Sequence, residues 1–356
     1  MGIRRGPATV TGSGAAGRKA SHWGDPGRRG AAANGSQETC LRPSTDTAFE
    51  ELEQLVRRRP WAFVPALLVL LAIAGVLSGC ETRAQEAPGA DAPAAILAAT
   101  AGYGADVLLE TRVDPGQSVM RATRGATEVD AAYAGAFVAA MLGHESDRSG
   151  QRDWFFFVNG AVSPVGAEEV RLADGDSVWW DFRFWGDLVE TPIVVGQWPA
   201  PWALPGRRGG PVAADPPLDA TLRAAGADLV DGDAAWRVRV GTSDEVARRD
   251  PVWRRALADP DAAGLTVTIA GGRIVAIGPD GGPRQPVDGA RAIVAAVPTR
   301  TDPGDGALMV VAGLDATAAR AAAEAVARDP GILSLRYAVA LDGAGTVLRA
   351  GGRTGP

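Results

Sequence analysis

The segment Ser177-Val-Trp-Trp-Asp-Phe-Arg-Phe-Trp185 decides the reading of the fold. It has the composition and alternation of a strand, with Val178, Trp180, Phe182 and Phe184 on one side and Trp179, Asp181, Arg183 and Trp185 on the other. The first set reads as core. Two readings stand for the second: a solvated face whose Asp181 and Arg183 pair with neighbours, or an aromatic platform with polar handles for a flat or sugar-like ligand. Trp179, Asp181, Arg183 and Trp185 are therefore the candidate ligand-binding residues. Six of the eight tryptophans after residue 80 fall between positions 154 and 202. Two of them, Trp198 and Trp202, stand among prolines and would fold over this face or fill a crevice.

Upstream, Trp154-Phe-Phe-Phe-Val158 runs into Asn159-Gly160, a hairpin turn signal. Residues 105–113 have strand propensity and turn at Asp114-Pro115-Gly116. Thr127 with Asp130 three residues on reads as a helix cap. Val129, Tyr133, Phe137 and Met141 recur at four-residue spacing, so a helix is predicted from Thr127 to Gly143. A further strand is predicted over 169–172, before the turn Ala173-Asp174-Gly175. These elements make a small α+β roll.

The stretch from Trp154 to Gly160, followed by Asp174-Gly175-Asp176-Ser177-Val178-Trp179-Trp180, resembles the W-x-[YF]-x-V-N-G and D-G-D-x-[IV]-x-W signatures of the uncharacterised family related to the C-terminal domain of transcobalamin. The resemblance covers roughly residues 105–186 and implies a β-grasp-like fold. In cobalamin carriers that domain forms one side of a corrinoid cleft and a helical barrel the other, and this chain has no such barrel in its sequence. The resemblance implies binding of a ligand or partner outside the cell more firmly than it implies cobalamin.

Beyond a Pro/Gly-rich stretch from Trp198 to Pro217, read as an interdomain linker, the chain carries an internal repeat. An offset of 72 residues aligns Trp236-Arg-Val-Arg-Val-Gly241 with Leu308-Met-Val-Val-Ala-Gly313, Ser243 with Asp315, Arg248 with Arg320, and Leu265-Thr-Val-Thr-Ile269 with Tyr337-Ala-Val-Ala-Leu341. Each copy reads strand, capped helix, strand, glycine turn, strand. Two βαββ units around a pseudo-twofold axis are the expected packing.

The front of the chain bears on compartment. Arg57, Arg58 and Arg59 precede an uncharged apolar run from Trp61 to Gly79, long enough at about 1.5 Å per residue to approach the ~30 Å hydrocarbon layer. A permanent transmembrane helix and a cleaved export signal are the two readings. Leu77-Ser78-Gly79-Cys80 resembles the lipobox of bacterial lipoproteins. The resemblance implies cleavage after Gly79 and a thioether link from Cys80 to diacylglycerol, its amine N-acylated, for instance with palmitate, or left free, and the two or three chains so supplied give stable anchoring. Either way the arginines stay in the cytoplasm and the remainder is exported.

The expected organisation is a disordered or spurious extension over 1–56, whose true start would be Leu55 or Val56, a signal peptide over 57–79 and a lipidated Cys80 with a flexible tether over 80–99. A transcobalamin-C-terminal-like domain over 100–197, a linker over 198–217, an α+β repeat domain over 218–350 and a tail over 351–356 follow. The fold class is α+β throughout.

Several chemistries lack their residues. Two Cys and two His in 356 residues exclude a disulfide scaffold and a Cys/His metal cluster. Residues 81–356 carry 26 basic and 36 acidic side chains, which argues against nucleic acid. His144 stands alone after residue 80, with no cysteine nucleophile and no nucleophile-elbow motif, and reads as a surface histidine. The carboxylates of Asp174-Gly175-Asp176 read as turn residues. No catalytic residue, metal ligand or cofactor is expected. The sequence points to an extracytoplasmic, lipid-anchored binding protein taking a vitamin-like small molecule for an uptake system. The alternative is an envelope interaction protein holding a protein partner or cell-wall polymer.

Overall fold

The computed structural model describes residues 93–354, apart from 133–136, 187, 189, 205–209 and 351–352. These residues all belong to one compact unit. The extension over 1–56, the segment over 57–79 and Cys80 lie outside the described residues. Among the described residues no helix is long and apolar enough to cross a membrane.

The fold is mixed α+β. Its first half carries strands β1 (Ala95–Ala101), β2 (Asp106–Val113), β3 (Val129–Ala132), β4 (Phe137–Met141), β5 (His144–Glu145), β6 (Arg152–Val158), β7 (Ala161–Val162) and β8 (Ser177–Phe184), with helix α1 (Val119–Ala126) after β2. Five of them form a sheet in the order β2-β1-β8-β6-β7, in which β1 and β8 run parallel and every other neighbour antiparallel. The strand β1 corrects the tether reading. Its alanines read as spacer, yet Leu97 and Ala99 are buried and the strand lies between β2 and β8. The Asn159-Gly160 hairpin forms as predicted, both residues taking the left-handed conformation that a two-residue turn requires (φ 51° and 83°).

The helix expected from Thr127 to Gly143 is instead a small antiparallel sheet, β3-β4-β5. The true N-cap is Ser118, whose hydroxyl accepts the Arg121 N–H at 3.1 Å, and Thr127 closes the helix by donating its N–H to Thr123 O. Four-residue spacing misled because four is also a multiple of two, so Val129 and Met141 share a strand face as well as a helix face, and here they pair directly. The strand expected over 169–172 is reduced to one bridge between Ser118 and Arg171.

The second half carries β9 (Val212–Ala214), α2 (Leu218–Ala224), β10 (Trp236–Thr242), α3 (Ser243–Arg249), α4 (Pro251–Ala258), β11 (Val267–Ala270), β12 (Arg273–Gly278), β13 (Gly281–Pro286), β14 (Ala292–Pro298), β15 (Ala307–Gly313), α5 (Ala316–Arg328), β16 (Val339–Leu341), β17 (Val347–Ala350) and β18 (Arg353–Thr354). A seven-stranded sheet runs β18-β17-β16-β14-β15-β10-β9, and β11-β12-β13 form a separate sheet. Strands β14 and β15 are apolar almost without interruption because both faces are covered. Met309 and Val311 pack against α2 and α5, while Leu308, Val310 and Ala312 pack against α3, α4 and the three-stranded sheet.

Strand, helix, strand, strand does recur in both aligned stretches, but the sheets are not equivalent. In the first copy β11 and β12 leave for the small sheet, whereas in the second β16 and β17 extend the large one. The first-copy and second-copy leading strands, β10 and β15, lie side by side and parallel. Part of the expected tail forms β18, paired with β17. The described part of 198–217 also differs from a free linker: Trp202 is buried in the core of the large sheet, and its indole N–H donates to Arg237 O and Ala307 O at 3.0 and 3.2 Å.

Candidate functional site

Strand β8 sorts its side chains as the alternation demands, but neither of its faces is bare. Val178, Trp180 and Phe182 join the core under α1. On the opposite face Trp179 and Asp181 are 0% exposed and Arg183 1%, which corrects the exposed-platform reading. The cover comes from far along the chain: Leu188, Val194, Ile277, Leu335 and Tyr337 close over Tyr103, Phe157 and Trp179. Distant segments cannot be paired with a strand face from alternation alone. Trp185, half-buried, follows the strand and donates its N–H to Gln151 O.

The three buried candidates do come together, as a polar network inside the fold. The Asp181 carboxylate accepts the Thr100 hydroxyl at 2.6 Å, the Tyr103 and Gly104 N–H groups at 3.1 Å each, and the Tyr337 hydroxyl at 2.9 Å. The Trp179 indole N–H donates to Thr100 Oγ1 at 2.8 Å. Arg183 donates to Leu188 O at 2.7 Å and its guanidinium lies 4.0 Å from the centre of the Phe155 ring. Burial pushes the Asp181 carboxyl above its usual range, opposed by the hydrogen bonds from Thr100 and Gly104 and the Arg183 charge, and burial likewise pushes the Tyr337 hydroxyl up. With its side chains buried, this network holds the fold together. Thr100, Tyr103 and Tyr337 are its members that sequence reading missed.

Among the described residues, a cavity of 360 Å³ is bounded by β4, β6 and the loop after β7. It is lined by Phe137, Phe156, Trp180 and Val165 together with Asp153 and Glu169. Phe156 and Trp180 stack at 4.7 Å with 33° between their planes, and the Trp180 indole is fixed by its N–H bond to Thr123 Oγ1 at 3.1 Å. Phe137 is 59% exposed and Val165 44%. Phe137, expected on the buried stripe of a helix, thus reaches the surface from a strand.

Residues 116–183 match a family model described as "Domain of unknown function (DUF4430)". The matched segment contains α1, β3 to β6 and most of β8, so it holds every aromatic residue of the cavity. Its two sequence signatures bind each other. The Asn159 side chain donates to Asp176 Oδ1 at 2.8 Å and accepts the Ser177 N–H at 2.9 Å, which fixes the β6–β7 turn against the start of β8. Asp176 also accepts the Ala173 N–H, and Asp174 the Ala94 N–H, so both carboxylates are turn residues.

No curated protein matches the chain. Among solved structures, a crystal structure at 1.30 Å resolution of a "putative metal binding protein" from Ruminococcus gnavus ATCC 29149 is 14% identical, covering 26% of this chain and 98% of that one with a TM-score of 0.23. Likeness at that level carries no argument about this chain. Among the described residues, no three His, Cys, Asp or Glu side chains gather where they could hold a metal ion. His144 is half-buried against Phe182, with ring centres 4.9 Å apart, and its carbonyl accepts the Trp154 indole N–H.

Proposed function

We propose that the chain is an extracytoplasmic binding protein, anchored through lipid on Cys80, which captures a small molecule with an apolar or aromatic body in the cavity beside β6. The observation that carries this reading is the cavity itself: 360 Å³ beside a fixed Phe156–Trp180 stack, with two large apolar side chains exposed at its border. Exposed apolar side chains bordering a concavity are what a ligand would cover. The β-grasp-like, transcobalamin-related reading of residues 105–186 agrees in kind, since it implies ligand binding outside the cell, and delivery to an uptake system is the role that follows. The repeat half serves as the support that covers the other face of the sheet. The reading involves no catalytic step. Binding of a partner through Trp179 and Trp185 is the less favoured alternative, because Trp179 is interior.

The test uses the full chain in lipid nanodiscs, with empty discs as blank, and naphthalene-2-methanol as a neutral flat probe observed by saturation-transfer NMR. Transfer to the naphthyl protons that falls several-fold in Phe137→Ala supports the reading. Absence of transfer from the parent chain for naphthyl probes of any charge, or equal transfer in the variant, overturns it.

A further inference from the structure

We infer that the cavity selects an organic cation: an ammonium, guanidinium or quaternary ammonium group carried on an apolar or aromatic body. This rests on the reading above and narrows the ligand class. Among the described residues, the charged side chains lining the cavity are Asp153 and Glu169, both acidic, and no Arg, Lys or His lines it with them. Asp153 is pinned through Oδ1, which accepts the Ser146 hydroxyl at 2.7 Å and the Trp154 N–H at 2.8 Å. Its Oδ2 accepts no hydrogen bond among the described residues. Glu169 accepts the Gly166 N–H at 3.3 Å. Neither acid joins an ion pair among the described residues, although Glu168, beside Glu169 in sequence, pairs with Arg124.

The rings point the same way. Half-buried Phe156, backed by the core residue Trp180, presents a π face whose quadrupole is negative, so a cation against it is attracted, the more so as it is desolvated. The same sheet already holds one cation in this manner, where the Arg183 guanidinium lies over the ring of Phe155, a residue that also borders the cavity. A carboxylate or phosphate ligand would instead meet two acids that join no ion pair among the described residues, the Arg183 guanidinium across from Asp153 being 1% exposed and bonded to Leu188 O, and a neutral ligand would gain only from burial. The acidic balance of residues 81–356 adds a long-range bias of the same sign.

The experiment compares three naphthyl probes of one shape on the full chain in nanodiscs by calorimetry: (naphthalen-2-ylmethyl)trimethylammonium, naphthalene-2-methanol and 2-naphthylacetate. The expected order is cation, neutral, anion, with the cation bound about tenfold more tightly than the neutral probe, as one ring contact and one carboxylate together supply. Asp153→Asn should lower the ratio of cation to neutral-probe affinity by about half an order of magnitude or more, and raised salt should weaken the cation alone. Equal affinity of all three probes, or tightest binding of the anion, overturns the charge selection while leaving the cavity's function standing. Failure of all three to bind overturns the function itself.

Discussion

The Tyr337 hydroxyl donates to Asp181 Oδ2 at 2.9 Å across 156 residues of sequence, joining the second half of the chain to the centre of the first sheet. Both residues are buried, and the Tyr337 ring packs edge-on against Trp179 and Tyr103 at 5.1 and 5.3 Å. A face that strand alternation marks as polar and aromatic is therefore an internal seam.

Tyr337→Phe keeps the ring and deletes the donor. Leaving a buried carboxylate one hydrogen bond short should lower unfolding free energy by about 1–3 kcal/mol in urea titrations. The lost bond favours the ionised form, so its removal drives the already raised Asp181 value further up. A raised carboxyl contributes most below the unfolded value and its contribution falls as pH rises through the folded one. The deficit of the variant should accordingly be larger at pH 7.5 than at pH 4.5.

Gly104 and Gly116 provide a matched pair. Both are left-handed, with φ of 81° and 86°. A methyl on Gly104 would collide with the Leu335 carbonyl oxygen and touch the Trp179 ring, whereas one on Gly116 would meet nothing within 4 Å. Gly116→Ala should show only the left-handed cost of about 1–2 kcal/mol. Gly104→Ala should exceed it clearly, because the seam would have to open. Thermal unfolding of the two variants side by side checks this.

Asp315 caps α5, accepting the Ala318 N–H at 2.8 Å. That bond first, and the Arg291 partner second, hold its carboxyl below the usual range. A depressed carboxyl stabilises above the unfolded value, about 3.9, and loses its contribution as pH falls through the folded one. Asp315→Asn retains a capping oxygen and removes the titration. Its unfolding free energy should fall less steeply than that of the parent chain between pH 5 and pH 3.

What could be read from the sequence was local. The sorting of Val178, Trp180 and Phe182 to the core, the Asn159-Gly160 hairpin and the helices that follow the strands at 236–242 and 307–313 follow from periods of two to four residues and from turn chemistry, whereas β13 and β14 were not expected. Three things were hidden for physical reasons. Ala95–Ala101 is a strand by virtue of its neighbours, since alanine alone reads as spacer. Phe137 lies on a strand because four-residue spacing satisfies two periodicities. The burial of Trp179, Asp181 and Arg183 depends on Leu335 and Tyr337, which no local pattern connects to them. The acids Asp153 and Glu169 gave no signal because their shared cavity exists only once β4, β6 and the loop after β7 are assembled.

The proposed function requires the ligand to enter the cavity beside β6. Hydrogen exchange of the full chain in nanodiscs, followed with and without saturating (naphthalen-2-ylmethyl)trimethylammonium, tests it most directly. The expected result is new protection in peptides covering Phe137–Met141, residues 153–156 and residues 162–166, with none in residues 188–196 or 335–337. Protection confined to the seam segments, with the borders of the cavity unchanged, would contradict the account.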